Sequence, residues 1–164
     1  MSEENGRIQR ERMMKENIVI DRDFLRSVDI HEVLPQQEPF VMVGALTQFE
    51  NSLSTTQTLI REDNIFVDEG YFSSSGLLEN IAQTCAARVG FYNKYILHKD
   101  VQVGFIGAVR NFVVYSLPAV GSVIETRVDI LEDVFGMTMA DAQVRCGEEL
   151  LATAEIKLAV RDIG

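Results

Sequence analysis

The sequence predicts an α+β domain in which one long helix lies between an early hairpin and a later run of antiparallel strands. Three observations carry that reading. Apolar residues recur at helical spacing from about Gly76 to about Leu97, residues beyond Asp100 alternate between apolar and polar, and Pro118, Gly121, Gly136 and Gly147 cut that alternation into separate segments.

Residues 1–16 are polar with isolated apolar positions, which predicts a flexible N-terminal tail ahead of a single domain spanning 17–164. Phe24, Leu25, Val28 and Ile30 are spaced for a short helix within Asp21 to Val33, which Pro35 then ends. The segment Leu34-Pro35-Gln36-Gln37-Glu38-Pro39-Phe40 is turn-prone. Strand-like residues follow from Val43 to Phe49 and from Leu53 to Arg61, with a reversal near Glu50-Asn51. Glu62 to Ser75 reads as irregular, and Ser74 or Ser75 is placed to cap the long helix. Along that helix Leu78, Ala82, Cys85, Val89 and Tyr92 predict a buried stripe, and Ala82, Ala86, Ala87 and Gly90 would let a sheet approach closely. Four strands are predicted at 102–115, 122–134, 136–146 and 149–160. In the last, Leu150, Ala152, Ala154, Ile156, Leu158 and Val160 form the predicted inward set.

Composition narrows the function. The chain has 164 residues, 46% of them hydrophobic and 24% charged, which suits one globular domain. No apolar run approaches the roughly 18 residues that cross a bilayer, and Met1 to Asn17 is charged where a secretory signal is apolar, so a cytoplasmic protein without membrane insertion is expected. A net charge of −10 disfavours nucleic acid. It also weighs against an acidic carrier protein unless Arg88, Lys94, Lys99 and Arg110 gather around a pocket mouth. His31 and His98 are far apart in the chain and lack metal-ligand spacing, so neither a metal nor another cofactor is expected; Cys85 and Cys146 read as buried thiols.

Leu34 to Phe40 followed by Val41-Met42-Val43 resembles the LPHRYPFLLVD opening of the bacterial 3-hydroxyacyl-acyl-carrier-protein dehydratases. Leu78-Glu79-Asn80-Ile81-Ala82-Gln83-Thr84 resembles their central-helix motif EAMAQ. Phe105-Ile106-Gly107-Ala108-Val109-Arg110-Asn111-Phe112 is similar to the glycine-containing strand that follows, and Pro118 with Gly121 to their PxxPGD turn. The resemblance spans Leu34 to Val160 and implies a hotdog fold, a curved antiparallel sheet wrapped around one central helix. It departs before the helix, where those enzymes carry a histidine base in HFPGxPxxPG and this chain reads Phe66-Val67-Asp68-Glu69-Gly70-Tyr71-Phe72. That stretch resembles a dehydratase-like branch associated with aryl-polyene-type pigment synthesis, with its FxDExG and ELMAQT patterns.

Dehydration of a 3-hydroxyacyl thioester removes a weakly acidic proton beside the carbonyl and expels hydroxide, so it calls for a base, an acid and a carbonyl stabiliser. Glu79, read as lying in the first turn of a buried helix, is the candidate acid, its proton affinity raised by desolvation. A first-turn acid is equally favourable for the helix dipole alone. Gln83, one turn later, would hold that carboxyl or the substrate hydroxyl, or else bond to backbone in the core. Amides near Gly76 would receive the thioester oxygen, although Gly76 also fits a tight helix entry. By the resemblance, Phe105 and Gly107 would line the acyl tunnel, unless they serve only sheet packing. Glu69, Tyr71 and His31 are the possible replacements for the base, each with an ordinary structural reading beside it.

In the resembled enzymes histidine and carboxylate come from opposite subunits of a dimer. The resemblance therefore implies an acyl thioester on acyl carrier protein or coenzyme A, and a homodimer or higher oligomer, with a heterodimer with an intact dehydratase as the alternative. Two alternatives stand beside dehydration: a thioesterase, and a catalytically silent acyl-thioester-binding partner subunit.

Overall fold

The computed structural model describes residues 18–98, 103–134 and 137–161. The expected tail at 1–16 lies outside them. Helix α1 (Arg22–Ser27) is capped by Asp21, whose carboxylate accepts the Phe24 amide at 3.0 Å. The single helix expected across Asp21 to Val33 is instead two pieces, because Asp29 accepts the His31 amide and caps a separate 3₁₀ turn, Ile30–Glu32. Strands β1 (Ala45–Phe49) and β2 (Leu53–Leu59) form the expected hairpin.

The region read as irregular contains a miniature hairpin, β3 (Val67–Asp68) with β4 (Tyr71–Phe72). Its turn places both Glu69 and Gly70 at positive φ, 49° and 84°, the pair of left-handed residues that a tight two-residue reversal demands. Helix α2 (Ser74–Phe91) follows, and a π turn (Tyr92–Ile96) extends it. Strands β5 (Val103–Val114), β6 (Val123–Val134), β7 (Met137–Cys146) and β8 (Glu149–Arg161) complete the chain close to the expected bounds. Six strands form one antiparallel sheet in the order β1-β2-β6-β7-β8-β5, with α2 packed on its inner face. This is the hotdog architecture.

The helix contributes two kinds of side chain to the interior. Leu77, Ile81 and Cys85 join Ile124, Val128, Val144, Leu151 and Ile156 in one apolar core. Ala87 and Phe91 join Leu25, Val33, Leu34 and Phe49 in a second, under α1 and β1. Gly90 permits that second contact, since a Cβ there would stand 1.8 Å from the Val33 carbonyl oxygen. The predicted stripe is thus displaced: Cys85 is buried, whereas Leu78, Ala82, Val89 and Tyr92 are half-buried. Asn80, Gln83, Thr84 and Arg88 share the interior with Leu77, Ile81, Ala87 and Phe91.

Three of those polar residues form a ladder against β2. Asn80 donates to Thr58 Oγ1 at 3.2 Å, Thr84 and Thr56 share a hydroxyl bond of 2.8 Å, and Arg88 donates to Ser54 Oγ at 2.6 Å. The spacing works because four helical residues rise about 6 Å and two strand residues about 6.8 Å. Helix positions four apart therefore meet strand positions two apart over three rungs.

The last rung is also a clamp. Arg88, 5% exposed, lies over the Phe49 ring at 4.7 Å and donates to the carbonyls of Glu50, Asn51 and Leu53, which form the β1–β2 reversal. Burial lowers its pKa to about 10, still well above neutrality. Lysine in its place keeps the charge but not the planar fork. Arg88→Lys is expected to lower unfolding free energy by about 2–4 kcal/mol in urea titration. An unchanged midpoint would show that the reversal holds without the clamp.

Two further expectations change. On β8, Leu151 is buried and Leu150 half-buried, the reverse of the predicted alternation, because a bulge between Val144 and Arg145 shifts the pairing by one residue there. Cys146 is half-buried, near the end of the β7–β8 hairpin, rather than buried.

Candidate active site

The entry to α2 is built from the miniature hairpin upward. The Pro118–Gly121 turn holds that hairpin: Phe72 donates its amide to the Pro118 carbonyl at 2.9 Å, and Val120 donates to Gly70 at 2.9 Å. Phe72 is thereby fixed in the core beneath the helix start. A Cβ on Gly76 would lie 2.6 Å from the Phe72 ring and 2.9 Å from Phe66 Cβ, so only glycine fits at this third helical position. Ser73, not Ser74 or Ser75, is the cap, and its hydroxyl accepts the Gly76 amide at 3.2 Å. The Gly76 amide is thus engaged by its cap, and Ser74 and Ser75, the first two residues of the helix, are exposed.

Because the helix begins at Ser74, its first turn contains no acidic residue and Glu79 lies in the second. A role for Glu79 as a simple partner of the helix dipole loses its basis, since that effect decays within the first turn. Glu79 is half-buried and Gln83 fully buried. Gln83 Nε2 donates to Glu79 Oε1 at 2.9 Å and to the Phe40 carbonyl at 2.8 Å, while its Oε1 accepts the Met42 amide at 2.7 Å. Gln83 thus bonds both to backbone in the core and to the Glu79 carboxyl. The segment it grips is the one that resembles the dehydratase opening, and it follows a cis peptide at Glu38-Pro39. Phe40 is exposed beside it.

The remaining sequence candidates do not converge on Glu79. Glu69 and Tyr71 are exposed on the miniature hairpin. His31 has both ring nitrogens engaged, Nδ1 with Asp29 at 2.6 Å and Nε2 with Glu38 at 2.9 Å. Gly107 is exposed on the edge strand β5, at a bulge between Ile106 and Ala108. The backbone of Phe105 pairs with Ala159, and its side chain lies outside the described residues. The four cations do not gather: Arg88 is in the core, Lys94 pairs with Glu32 at 2.9 Å, Arg110 is exposed on β5 opposite Glu155, and Lys99 lies outside the described residues. Burial pushes the Cys85 thiol up to about 12, which removes it as a nucleophile.

A groove of about 370 Å³ on the outer face of the sheet, lined by Asn111, Asp129, Asp141, Gln143, Thr153 and Glu155, shares no residue with the Glu79 region. Among the described residues, no helix is long and apolar enough to cross a membrane.

The family model described as ApeP-like, ApeP dehydratase, matches residues 28–162. The chain belongs to the ApeP-like dehydratase family. Its function is accordingly dehydratase-like, a lyase type of chemistry. No curated protein matches the chain. Among solved structures, the dehydratase heterocomplex ApeI:P from Xenorhabdus doucetiae superposes with a TM-score of 0.76 at 15% identity, over 83% of this chain and 93% of that one. A hypothetical thioesterase with coenzyme A from Streptococcus pneumoniae gives 0.57 at 9% identity, over 71% and 84%. A protein from Streptococcus mutans bound to acetyl CoA gives 0.56 at 11%, over 71% and 86%. At these identities the likeness establishes the shared fold, and the hotdog expectation agrees with it.

The His31 cluster has a pH consequence for the loop that leads to Phe40. Glu38 first and Asp29 second raise the His31 pKa above its ordinary 6.5. A raised folded-state pKa gives stabilisation that is complete below 6.5 and is lost as pH rises through the folded value. The melting temperature of the wild type is expected to fall by about a degree or two more than that of His31→Gln between mildly acidic and mildly alkaline pH, the small size reflecting an exposed cluster. Parallel melting curves for the two proteins would remove His31 from the loop's stability.

Proposed function

We propose that the chain supplies the acid half of a two-subunit site that dehydrates 3-hydroxyacyl thioesters in polyene-type or fatty-acid synthesis. The observation that carries this reading is the carboxyl of Glu79, half-buried on α2 and oriented by a buried amide whose other bonds are all to backbone. In the proposed step, a base removes the proton from the carbon beside the thioester carbonyl and that C–H pair forms the new double bond. The C–O bond at the next carbon then breaks, and the hydroxyl leaves as water with the proton of Glu79. Ser74 and Ser75 amides at the helix start are the donors available to the thioester oxygen; Phe105 and Gly107 retain the proposed tunnel role from β5.

The base is assigned to a partner subunit. Neither His31, Glu69 nor Tyr71 is held toward Glu79, and two features favour a second chain on this side. Strand β5 is an edge with one row of backbone groups unpaired in the sheet, and Val113, Tyr115 and Leu117 are exposed on and just after it. Leu78, Ala82, Ala86 and Val89 form a half-buried apolar flank of α2. A heterodimer with an intact dehydratase is favoured over a homodimer, because a second copy of this chain would bring no new histidine on the matching segment. The related ApeI:P structure is itself named a dehydratase heterocomplex. The substrate carrier is proposed to be acyl carrier protein or coenzyme A, and the compartment the cytoplasm.

A thiol-release and enoyl-absorbance assay on a 3-hydroxyacyl thioester tests the reading, with the chain alone and together with an intact dehydratase subunit. Enoyl formation that requires both chains is the expected result. Glu79→Gln in the complex is expected to lower it by about a hundredfold or more. An unchanged rate removes Glu79 from the chemistry. Thiol release without enoyl product would favour a thioesterase, and neither signal a silent binding subunit.

A further inference from the structure

We infer that Asn80, whose side chain bonds to Met42, Thr58 and Thr126 and not to the Glu79 carboxyl, positions that carboxyl through the backbone of Met42. The inference rests on the proposed role of Glu79.

Asn80 is fully buried beside a residue that is only half-buried. Its Nδ2 donates to the Met42 carbonyl at 2.7 Å and to Thr58 Oγ1 at 3.2 Å, and its Oδ1 accepts the Thr126 hydroxyl. Two donors and one acceptor are needed together, which a side-chain amide supplies and a carboxylate, hydroxyl or aliphatic group does not. Gln83, three residues on, accepts the Met42 amide through Oε1. One residue of the Phe40–Met42 segment is therefore gripped at its N–H by Gln83 and at its C=O by Asn80.

Gln83 reaches Glu79 with the same NH₂ group that donates to Phe40. Its planar amide can aim at Glu79 only while Phe40 and Met42 stay in place. The series Thr126, Asn80, Met42, Gln83, Glu79 is continuous, each link a hydrogen bond, and it ties the carboxyl to the central strand β6. The competing role for Asn80 is a bare helix-to-sheet attachment, the role that the Thr84–Thr56 rung plays one turn later without touching Met42.

That second rung provides the control. Thr126→Val removes the donor to the Asn80 side chain with little change of shape, and Thr56→Val removes a comparable buried hydroxyl bond to Thr84, which meets Asn80 only at its backbone carbonyl and not at the amide that holds Met42. The full chain, assembled with its partner subunit, is assayed for dehydration, and the Gln83 side-chain amide protons are followed by NMR hydrogen exchange. In Thr126→Val, Gln83 exchange is expected to accelerate and kcat to fall by about tenfold, with KM within about twofold, as misplacement of an acid group predicts. In Thr56→Val both are expected to stay near wild type while the melting temperature drops by a similar amount. Asn80→Ala should exceed Thr126→Val in both readouts where it folds. Equal Gln83 exchange in Thr126→Val and Thr56→Val would overturn the inference. Exchange needs no turnover, so an inactive wild type would count against the proposed dehydration while leaving this comparison decisive for Asn80.

Discussion

The ladder between α2 and β2 is the constraint on which the rest of the molecule depends. Most of the surface of a helix packed into a curved sheet is buried, so each polar residue on its inward side must find a partner inside. Asn80, Thr84 and Arg88 find theirs on Thr58, Thr56 and Ser54. Apolar contacts tolerate a sliding helix; these bonds do not. Moving α2 by one residue would place Ile81, Cys85 and Val89 against three strand hydroxyls and leave every rung unmade.

The buried amides of the helix explain why the chain can dispense with strand pairing at Met42. Residues 41–44 are not a strand, yet the amide and carbonyl of Met42 are both satisfied, by side-chain amides projecting from the helix. Asn80 and Gln83 act there as a neighbouring strand would. At the other end Arg88 does the same for the carbonyls of the β1–β2 reversal. The helix thus serves as a polar template for the N-terminal third of the described chain and as an apolar rod for the C-terminal sheet.

This division also decides what could be read from the sequence. The strands of the second half were legible almost to the residue, because a half-buried strand writes its two faces as alternation, as Ile124, Thr126 and Val128 do against Glu125, Arg127 and Asp129. The helix was legible in extent but not in orientation. A search for apolar stripes selects Leu78, Ala82 and Val89, whereas the inward face is in part Asn80, Gln83, Thr84 and Arg88, of which the sequence suggests a core position for Gln83 alone. A signal did exist: Ser54, Thr56 and Thr58 alternate on one strand face, and three hydroxyls at period two need partners if that face is inward. The break at Asp29 and the miniature hairpin were missed because single side-chain caps and two-residue strands leave almost no periodic trace. Glu79 and Gln83 were found through their resemblance to a motif; Asn80, between them, differs from the motif's alanine and only the structure gives it a task.

The position of Glu79 follows from the same geometry. At 3.6 residues per turn, the helix surface passes from the buried amides of Asn80 and Gln83 to the half-open apolar flank of Leu78, Ala82, Ala86 and Val89. Glu79 lies on the line between them. On the ladder side a carboxylate would be sealed among groups already bonded, and on the open flank it would have nothing to orient it. On the boundary it can be held from one side by Gln83 and approached from the other by an acyl group or a partner chain. A single chain offers only the held side. In the proposed two-subunit site the partner chain would supply the other.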